Sequence, residues 1–430
     1  MIKKMLPAFA MILSLGLCGC AVSGTESISV DSGASVSEIP PASVSSVSSE
    51  EPKTPSETPP VPDTSDTGTS ESEEYSRAEE ILSKMTLEEK AAQMTIVAFD
   101  VWNSDVEQCF LDTKPGGFIL FSKNITDADS LKKLTSTLSL NSKDAGVPAF
   151  IAVDQEGGTV QRVRFSGDYP KASEIGATKD AGLAYDNGAK IGTELAALGF
   201  NLDFAPVMDV NSNPNNPIIG NRSFSADADV VSEMGVAMMK GLKDSGVIPC
   251  LKHFPGHGDT DTDSHTGLPK IDKSLSELWE TELKPFKAGI DKGADMIMTA
   301  HIEFPQIVTE TKKLSSGEEI ALPATLSKEI LTDLLRNEMG YEGVIVTDAL
   351  EMKAISSNFG VLEATGLAVS AGADLMLIPV RINGEARISE YKKYISDFAA
   401  LIRSGAIPEE RVNESVLRII RLKEKYGFFN

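Results

Sequence analysis

The sequence predicts an α/β fold: a (β/α)8 TIM-type barrel forming a single domain after a disordered linker. Three observations carry that expectation. Beyond residue 76, eight short apolar or β-branched runs alternate with amphipathic helical stretches. The runs are almost continuously apolar, as strands of a parallel sheet covered on both faces must be. The folded part, residues 76–430, is long enough for one large barrel. A doubly wound open sheet is the competing architecture, but no glycine-rich phosphate loop follows the first run.

The strand runs are Met94–Phe99, Gly117–Phe121, Phe150–Asp154, Asn201–Val210, Val247–His253, Met296–Ile302, Val344–Thr347 and Leu375–Val380. Amphipathic stretches at Ala181–Leu198, Asp227–Leu242, Leu275–Ile290, Ser327–Met339 and Leu362–Ala371 supply helices to cover them. Pro408–Tyr426 is a last amphipathic helix, expected to close the ring. In such barrels the active site lies at the carboxyl ends of the strands. Asp154 ends the third run, Asp209 lies near the end of the fourth, and Lys252-His253 ends the fifth. His301 lies at the end of the sixth, and Asp348 follows the seventh.

Residues 1–19 read as a lipoprotein signal peptide. Lys3 and Lys4 precede an apolar run from Met5 to Leu17, too short for a comfortable membrane span. Leu17-Cys18-Gly19-Cys20 resembles the bacterial lipobox, which marks Cys20 for lipidation and as the mature N-terminus. A plainly cleaved signal peptide or an uncleaved anchor helix is the alternative. Residues 20–75 are rich in Ser, Thr, Pro, Glu and Val, with no aromatic residue before Tyr75. So little apolar surface cannot offset the entropy of ordering, and the segment is expected to be a disordered tether. The expected address is extracytoplasmic, on a bacterial membrane through a lipid anchor at Cys20.

The net charge of −23 argues against nucleic acid as a partner, because phosphate binding needs basic patches. Only Cys109 and Cys250 remain outside the export signal, too few for a disulfide framework. Cys250 lies in an apolar run and reads as a buried thiol.

All four histidines lie between positions 253 and 301. Three fall in Lys252-His253-Phe254-Pro255-Gly256-His257-Gly258-Asp259 and the following Asp263-Ser264-His265. A metal reading takes His253, His257, Asp259, Asp263 and His265 as zinc ligands. Pro255, Gly256 and Gly258 deny the His253/His257 pair the helix that gives such spacing its meaning. A proton-transfer reading takes Asp263 and His265: a carboxylate beside an imidazole fixes its tautomer and raises its pKa. The loop from Pro255 to Leu268 is long and rich in Gly, Asp and Thr, the composition of a moving lid or a binding loop. A solvated loop whose histidine caps a helix is the plain alternative.

Asp348 ends a buried strand and points at the barrel mouth, although Asp348 through Glu351 also fits a helix-capping box. Asp154-Gln155-Glu156-Gly157-Gly158, followed by Arg162, can present carboxylates to sugar hydroxyls or be a solvated turn. Arg222 follows a loop rich in proline and asparagine and, taken alone, reads as a surface arginine.

Together these segments resemble the β-N-acetylglucosaminidases of glycoside hydrolase family 3, from about residue 80 to 425. The histidine-rich stretch carries the resemblance, with support from Asp154-Gln155-Glu156-Gly157-Gly158 and Thr347-Asp348-Ala349-Leu350-Glu351-Met352. The resemblance implies Asp348 as nucleophile of a retaining mechanism and His265 as general acid/base, with Asp263 as its dyad partner. It implies Asp154, Arg162, Arg222, Lys252 and His253 as the residues that hold the terminal sugar, with His257 and His301 supporting the site. Many relatives keep the acid/base on a second domain; this chain is expected to lack one, so the acid/base must come from the barrel. Thr159 and Ala349 depart from the family pattern, which bears on fine specificity.

The implied activity is removal of non-reducing terminal N-acetylglucosamine, from muropeptides in cell-wall turnover or from other N-acetylglucosamine glycans, by a monomer that needs no metal or organic cofactor. The competing readings are a β-N-acetylglucosaminide phosphorylase, a zinc-dependent barrel hydrolase, and a non-catalytic sugar-binding lipoprotein.

Overall fold

The computed structural model describes residues 76–264, 267–314 and 317–430. The expected signal peptide, Cys20 and the linker lie outside the described residues, as does His265.

Each of the eight expected runs holds one strand of a single ring: β1 Thr95–Phe99, β2 Gly117–Ile119, β3 Phe150–Val153, β4 Leu202–Asp203, β5 Ile248–Phe254, β6 Met296–Thr299, β7 Val344–Val346 and β8 Met376–Ile382. Consecutive strands from β1 to β7 pair in parallel. β8 pairs in parallel with β1, and a parallel bridge from Val346 to Leu375 joins β7 to the start of β8. The fold is the TIM barrel that the alternation of runs predicts. Every residue of β1, β2, β3 and β5 is buried, as strands between packed interior and covering helices must be.

Four local differences from the expected elements stand out. β4 stops after Asp203, and pairing resumes past Pro206 as a bridge from Val207 to Lys252. The stretch 275–290 divides into helices Leu275–Glu280 and Leu283–Asp291, with Pro285 in the first turn of the second, where a missing N–H costs nothing. Residues Glu329–Glu338 wind as a π-helix, with Ile330, Leu331, Leu334 and Leu335 buried.

The fourth concerns the last helix, Glu409–Lys425, which does not close the ring. A helix satisfies its backbone groups internally and cannot continue a strand ladder. It lies instead against the amino-terminal end of the barrel. Lys423 Nζ donates to Gln93 Oε1 at 2.9 Å and to the Gly116 carbonyl at 3.0 Å. Arg411 and Arg418 reach Asp374, and Lys425 and Tyr426 reach Asp295. These partners precede β1, β2, β8 and β6, so the helix floors the barrel and leaves the opposite mouth open.

Candidate active site

A cavity of about 450 Å³ opens at the carboxyl ends of the strands. Asp154, Arg162, Arg222, Lys252, His253, His257 and Asp348 all line it. The sequence spreads these residues over nearly 200 positions, and the barrel's strand ends bring them together.

The hairpin Gln155–Gly157/Val160–Gln161 grows directly from β3 and turns on Gly157 (φ 88°) and Gly158 (φ 55°). Those backbone angles favour residues without a Cβ. The buried Gln155 side chain accepts from the Arg162 and Val163 amides at 2.8 and 2.9 Å, which fixes where Arg162 starts. The hairpin also aims Glu156 inward. Lys252 Nζ lies 2.8 Å from Asp154 Oδ1 and 2.7 Å from Glu156 Oε1. Arg222 donates two parallel hydrogen bonds to Glu156, each 2.8 Å. Arg162 Nη2 stands 3.8 Å from Asp154 Oδ2.

Burial opposes the charge on Glu156, but Arg222 and Lys252 outweigh it and hold the carboxyl far below its usual range. Burial likewise opposes the charges on Lys252 and Arg222, and the carboxylates beside them raise both above their ordinary values. In β4, burial pushes the Asp203 carboxyl well above its ordinary range. Arg222 is therefore no surface arginine. Asn216 shapes its loop by accepting from the Ile218 and Ile219 amides at 2.9 and 2.7 Å.

Asp209 organises the histidine stretch. Its carboxylate accepts the backbone N–H groups of His253 (3.1 Å) and His257 (2.8 Å), and it meets His253 Nδ1 at 2.7 Å. That leaves Nε2 as the free hydrogen-bonding atom of the His253 ring. His257 is a strut: its Nδ1 lies 2.8 Å from Thr260 Oγ1 and its Nε2 3.4 Å from Ser264 Oγ. A Cβ on Gly258 would fall 1.7 Å from the Val210 carbonyl oxygen, so only glycine fits there. The segment from Pro255 to Thr260 is consequently mostly buried and packed in place. Asp261 to Asp263 is the more exposed part, with Asp263 half-buried. His265 lies outside the described residues.

Burial, then the neighbouring His253, lowers the His257 pKa to about 4. The unfolded chain, titrating near 6.5, takes up this proton first as pH falls. His257 therefore contributes stability above pH ~6.5 that is lost between pH ~6.5 and ~4, worth roughly 3 kcal/mol. Urea unfolding at pH 7 and pH 4 should show the wild type losing that much more stability than His257→Gln. Equal losses would contradict the assignment.

Asp348 follows β7, half-buried, with Oδ1 accepting the Ala349 N–H at 2.7 Å. No helix begins here: the next, Lys353–Ser356, has four residues and no side-chain cap, so the capping alternative fails. Burial raises the Asp348 pKa, but His301, His253, the Ala349 amide and Lys252 outweigh it, and the carboxyl titrates below its ordinary value. His301 is fully buried, its Nε2 3.1 Å from the Ala349 carbonyl. At the rim Arg381 grips Glu351 at 2.5 Å, and the Arg381 and Arg162 guanidiniums lie over the Phe121 ring.

The pairing partners of Glu156, Asp209, Arg381 and Glu351 were not foreseen from the sequence. Each had a signal: Asp209 sits at a strand end, Arg381 follows the eighth run, and Glu156 and Glu351 stand within the quoted motifs. Among the described residues no group of three or more His, Cys, Asp or Glu side chains is placed to hold a metal ion. The Cys250 thiol is buried, and burial pushes its pKa well up. Chemically, the cavity offers an ionised carboxylate, Asp348, together with a clamp of cations and carboxylates suited to sugar hydroxyls.

Residues 86–422 match the model of the glycosyl hydrolase family 3 N terminal domain. Beta-hexosaminidase A of Pseudoalteromonas piscicida is 42% identical over 326 residues, covering 72% of this chain and 53% of that protein. The beta-hexosaminidase of Neisseria meningitidis is 36% identical over 292 residues, covering 66% of this chain and 76% of its own. A glycoside hydrolase family 3 beta-N-acetylglucosaminidase from Paenibacillus sp. str. FPU-7 superposes with a TM-score of 0.74 at 39% identity, over 80% of this chain and 64% of that one. A beta-N-acetylhexosaminidase from Beutenbergia cavernae does so with a TM-score of 0.69 at 28% identity, over 79% and 99%. The chain spans about half the length of the Pseudoalteromonas relative. With the barrel matched over most of its residues, the chain belongs to glycosyl hydrolase family 3.

Proposed function

We propose that this chain is a retaining exo-β-N-acetylglucosaminidase acting through a covalent glycosyl-Asp348 intermediate. The observation that carries the reading is the ionised Asp348 carboxylate in a cavity that the Asp154–Lys252–Glu156–Arg222 network also lines. Asp154 accepts hydroxyl protons of the terminal sugar, while Lys252, Arg162, Arg222 and His253 Nε2 donate to its oxygens. A cavity of about 450 Å³ above a packed barrel interior suits the end of a glycan rather than its middle.

In the first step Asp348 attacks the anomeric carbon as the glycosidic bond breaks, and His265, oriented by Asp263, gives its proton to the leaving oxygen. In the second, His265 removes a proton from water as that water displaces Asp348, so the sugar leaves with its original anomeric configuration. Both working groups are side chains, so the reaction calls for no cofactor. The names of the relatives, beta-hexosaminidase and beta-N-acetylglucosaminidase, support N-acetylglucosamine as the sugar released. The substrate we favour is a peptidoglycan fragment. A lipid at Cys20 and the acidic linker would hold a monomeric barrel near the cell wall.

An aryl β-N-acetylglucosaminide tests the reading, with the product anomer followed by nuclear magnetic resonance. Retention, activity that survives strong chelation, and no sugar phosphate in phosphate buffer are expected. Inversion, absence of hydrolysis, dependence on zinc, or a sugar 1-phosphate product would each overturn it in favour of a different chemistry.

A further inference from the structure

We propose that His301 is the positioning residue of Asp348, a buried imidazole that holds the Ala349 carbonyl and so fixes the turn carrying the attacking carboxylate. The inference rests on the reading of Asp348 as nucleophile.

His301 ends the run that contains β6, beside β7, and is fully buried. Its Nε2 lies 3.1 Å from the Ala349 carbonyl oxygen, which can only accept, so Nε2 carries a proton. The other ring nitrogen, Nδ1, lies 2.8 Å from Thr325 Oγ1. Thr325 is itself fixed: its hydroxyl stands 2.9 Å from the Ala300 carbonyl and 2.8 Å from Thr299 Oγ1. The ring is therefore clamped from the β6 side and reaches across to the turn after β7.

Ala349 is the link between ring and nucleophile. Its N–H donates to Asp348 Oδ1 at 2.7 Å, and its carbonyl takes His301 on one side and the Met352 N–H, at 3.0 Å, on the other. The flanks are tied separately, by Thr347 N–H to the Leu375 carbonyl and Leu350 N–H to the Leu377 carbonyl, both 2.9 Å. Between those ties, His301 is the side chain that sets where Ala349 sits, and Ala349 sets one oxygen of Asp348. Small errors matter at this point, because a displacement of about 1 Å at a reacting group costs on the order of 100-fold in rate. His301 also faces Asp348 electrostatically, together with His253 and Lys252 from β5, and these groups oppose the effect of burial on the carboxyl.

The test compares full-length wild type with His301→Phe, His301→Gln, Thr325→Val and Asp348→Ala, using an aryl β-N-acetylglucosaminide and calorimetric binding of N-acetylglucosamine. His301→Phe should lower kcat about 100-fold with KM within about twofold, and move the acid limb of kcat/KM to higher pH. His301→Gln restores a side-chain N–H toward the same carbonyl and should recover about tenfold of the loss. Thr325→Val, which frees the ring without removing it, should fall between. Retained sugar binding shows that a slow variant is folded. Wild-type kcat in His301→Phe, a Gln variant as slow as Phe, or a kcat loss with an unmoved pH profile would overturn the proposal. Should His301→Phe not fold, a Thr325→Val protein with unchanged kcat would do the same. An active Asp348→Ala sinks the nucleophile reading itself; an inactive one beside a fully active His301→Phe sinks only this inference.

Discussion

Asp348→Ala is expected to lower kcat for an aryl β-N-acetylglucosaminide on the order of 10⁴-fold or more while N-acetylglucosamine still binds. Asp348 is a half-buried carboxylate on the cavity wall, and it is not occupied with capping a helix. The cations and the amide around it outweigh burial, so it is ionised and able to attack at neutral pH. The sugar clamp, in contrast, comes from β3, β5 and the loop that ends at Arg222, and it stands without Asp348. Loss of rate with retained binding separates the two functions. A simple rise in KM at full kcat would show that Asp348 belongs to the clamp.

Glu156→Ala carries the second large effect, and it falls on stability as well as activity. Glu156 is 6% exposed and is shared by Lys252 and Arg222. Removing it takes a bonded counter-charge from two buried cations, and breaking a buried ion cluster in this way costs about 3–5 kcal/mol. Glu156→Gln keeps acceptor and shape and should cost less. Urea unfolding measures both variants, and a loss below about 1 kcal/mol for Glu156→Ala would contradict the picture of Glu156 as the counter-charge of the clamp. The same variant should raise KM, because Lys252 and Arg222 would no longer be held in one place.

The barrel was legible because its strands are buried on both faces, which writes them as continuous apolar runs such as Val344–Thr347 and Val247–His253. Their strand ends gave the site its shortlist for the same reason: a polar residue closing an apolar run has only the barrel mouth to point to. Arg222, Lys252 and Asp154 were each visible as members of motifs, but their mutual pairing was not. It depends on the Gly157-Gly158 turn placing Glu156 between two cations, and one-dimensional spacing does not encode that. Asp209 was hidden differently. Its place near a strand end marks it, but it makes its three contacts with backbone and ring atoms 44 to 48 residues away, so its partners do not show in the sequence. In the loop after β5, Gly and Pro signal a backbone without regular structure. They do not say whether it packs, and at Gly258 the absent Cβ is what lets it pack against Val210.

The central claim is that chemistry passes through a bond between sugar and Asp348. It is tested most directly by slow turnover of a fluorinated N-acetylglucosamine analogue with a good leaving group, followed by proteolysis and peptide mass analysis. The account predicts one added sugar per chain, on the peptide that contains Asp348, and release of that sugar when the intermediate is allowed to turn over. A protein that turns the analogue over without ever carrying the sugar, or that carries it on a different residue, would contradict it.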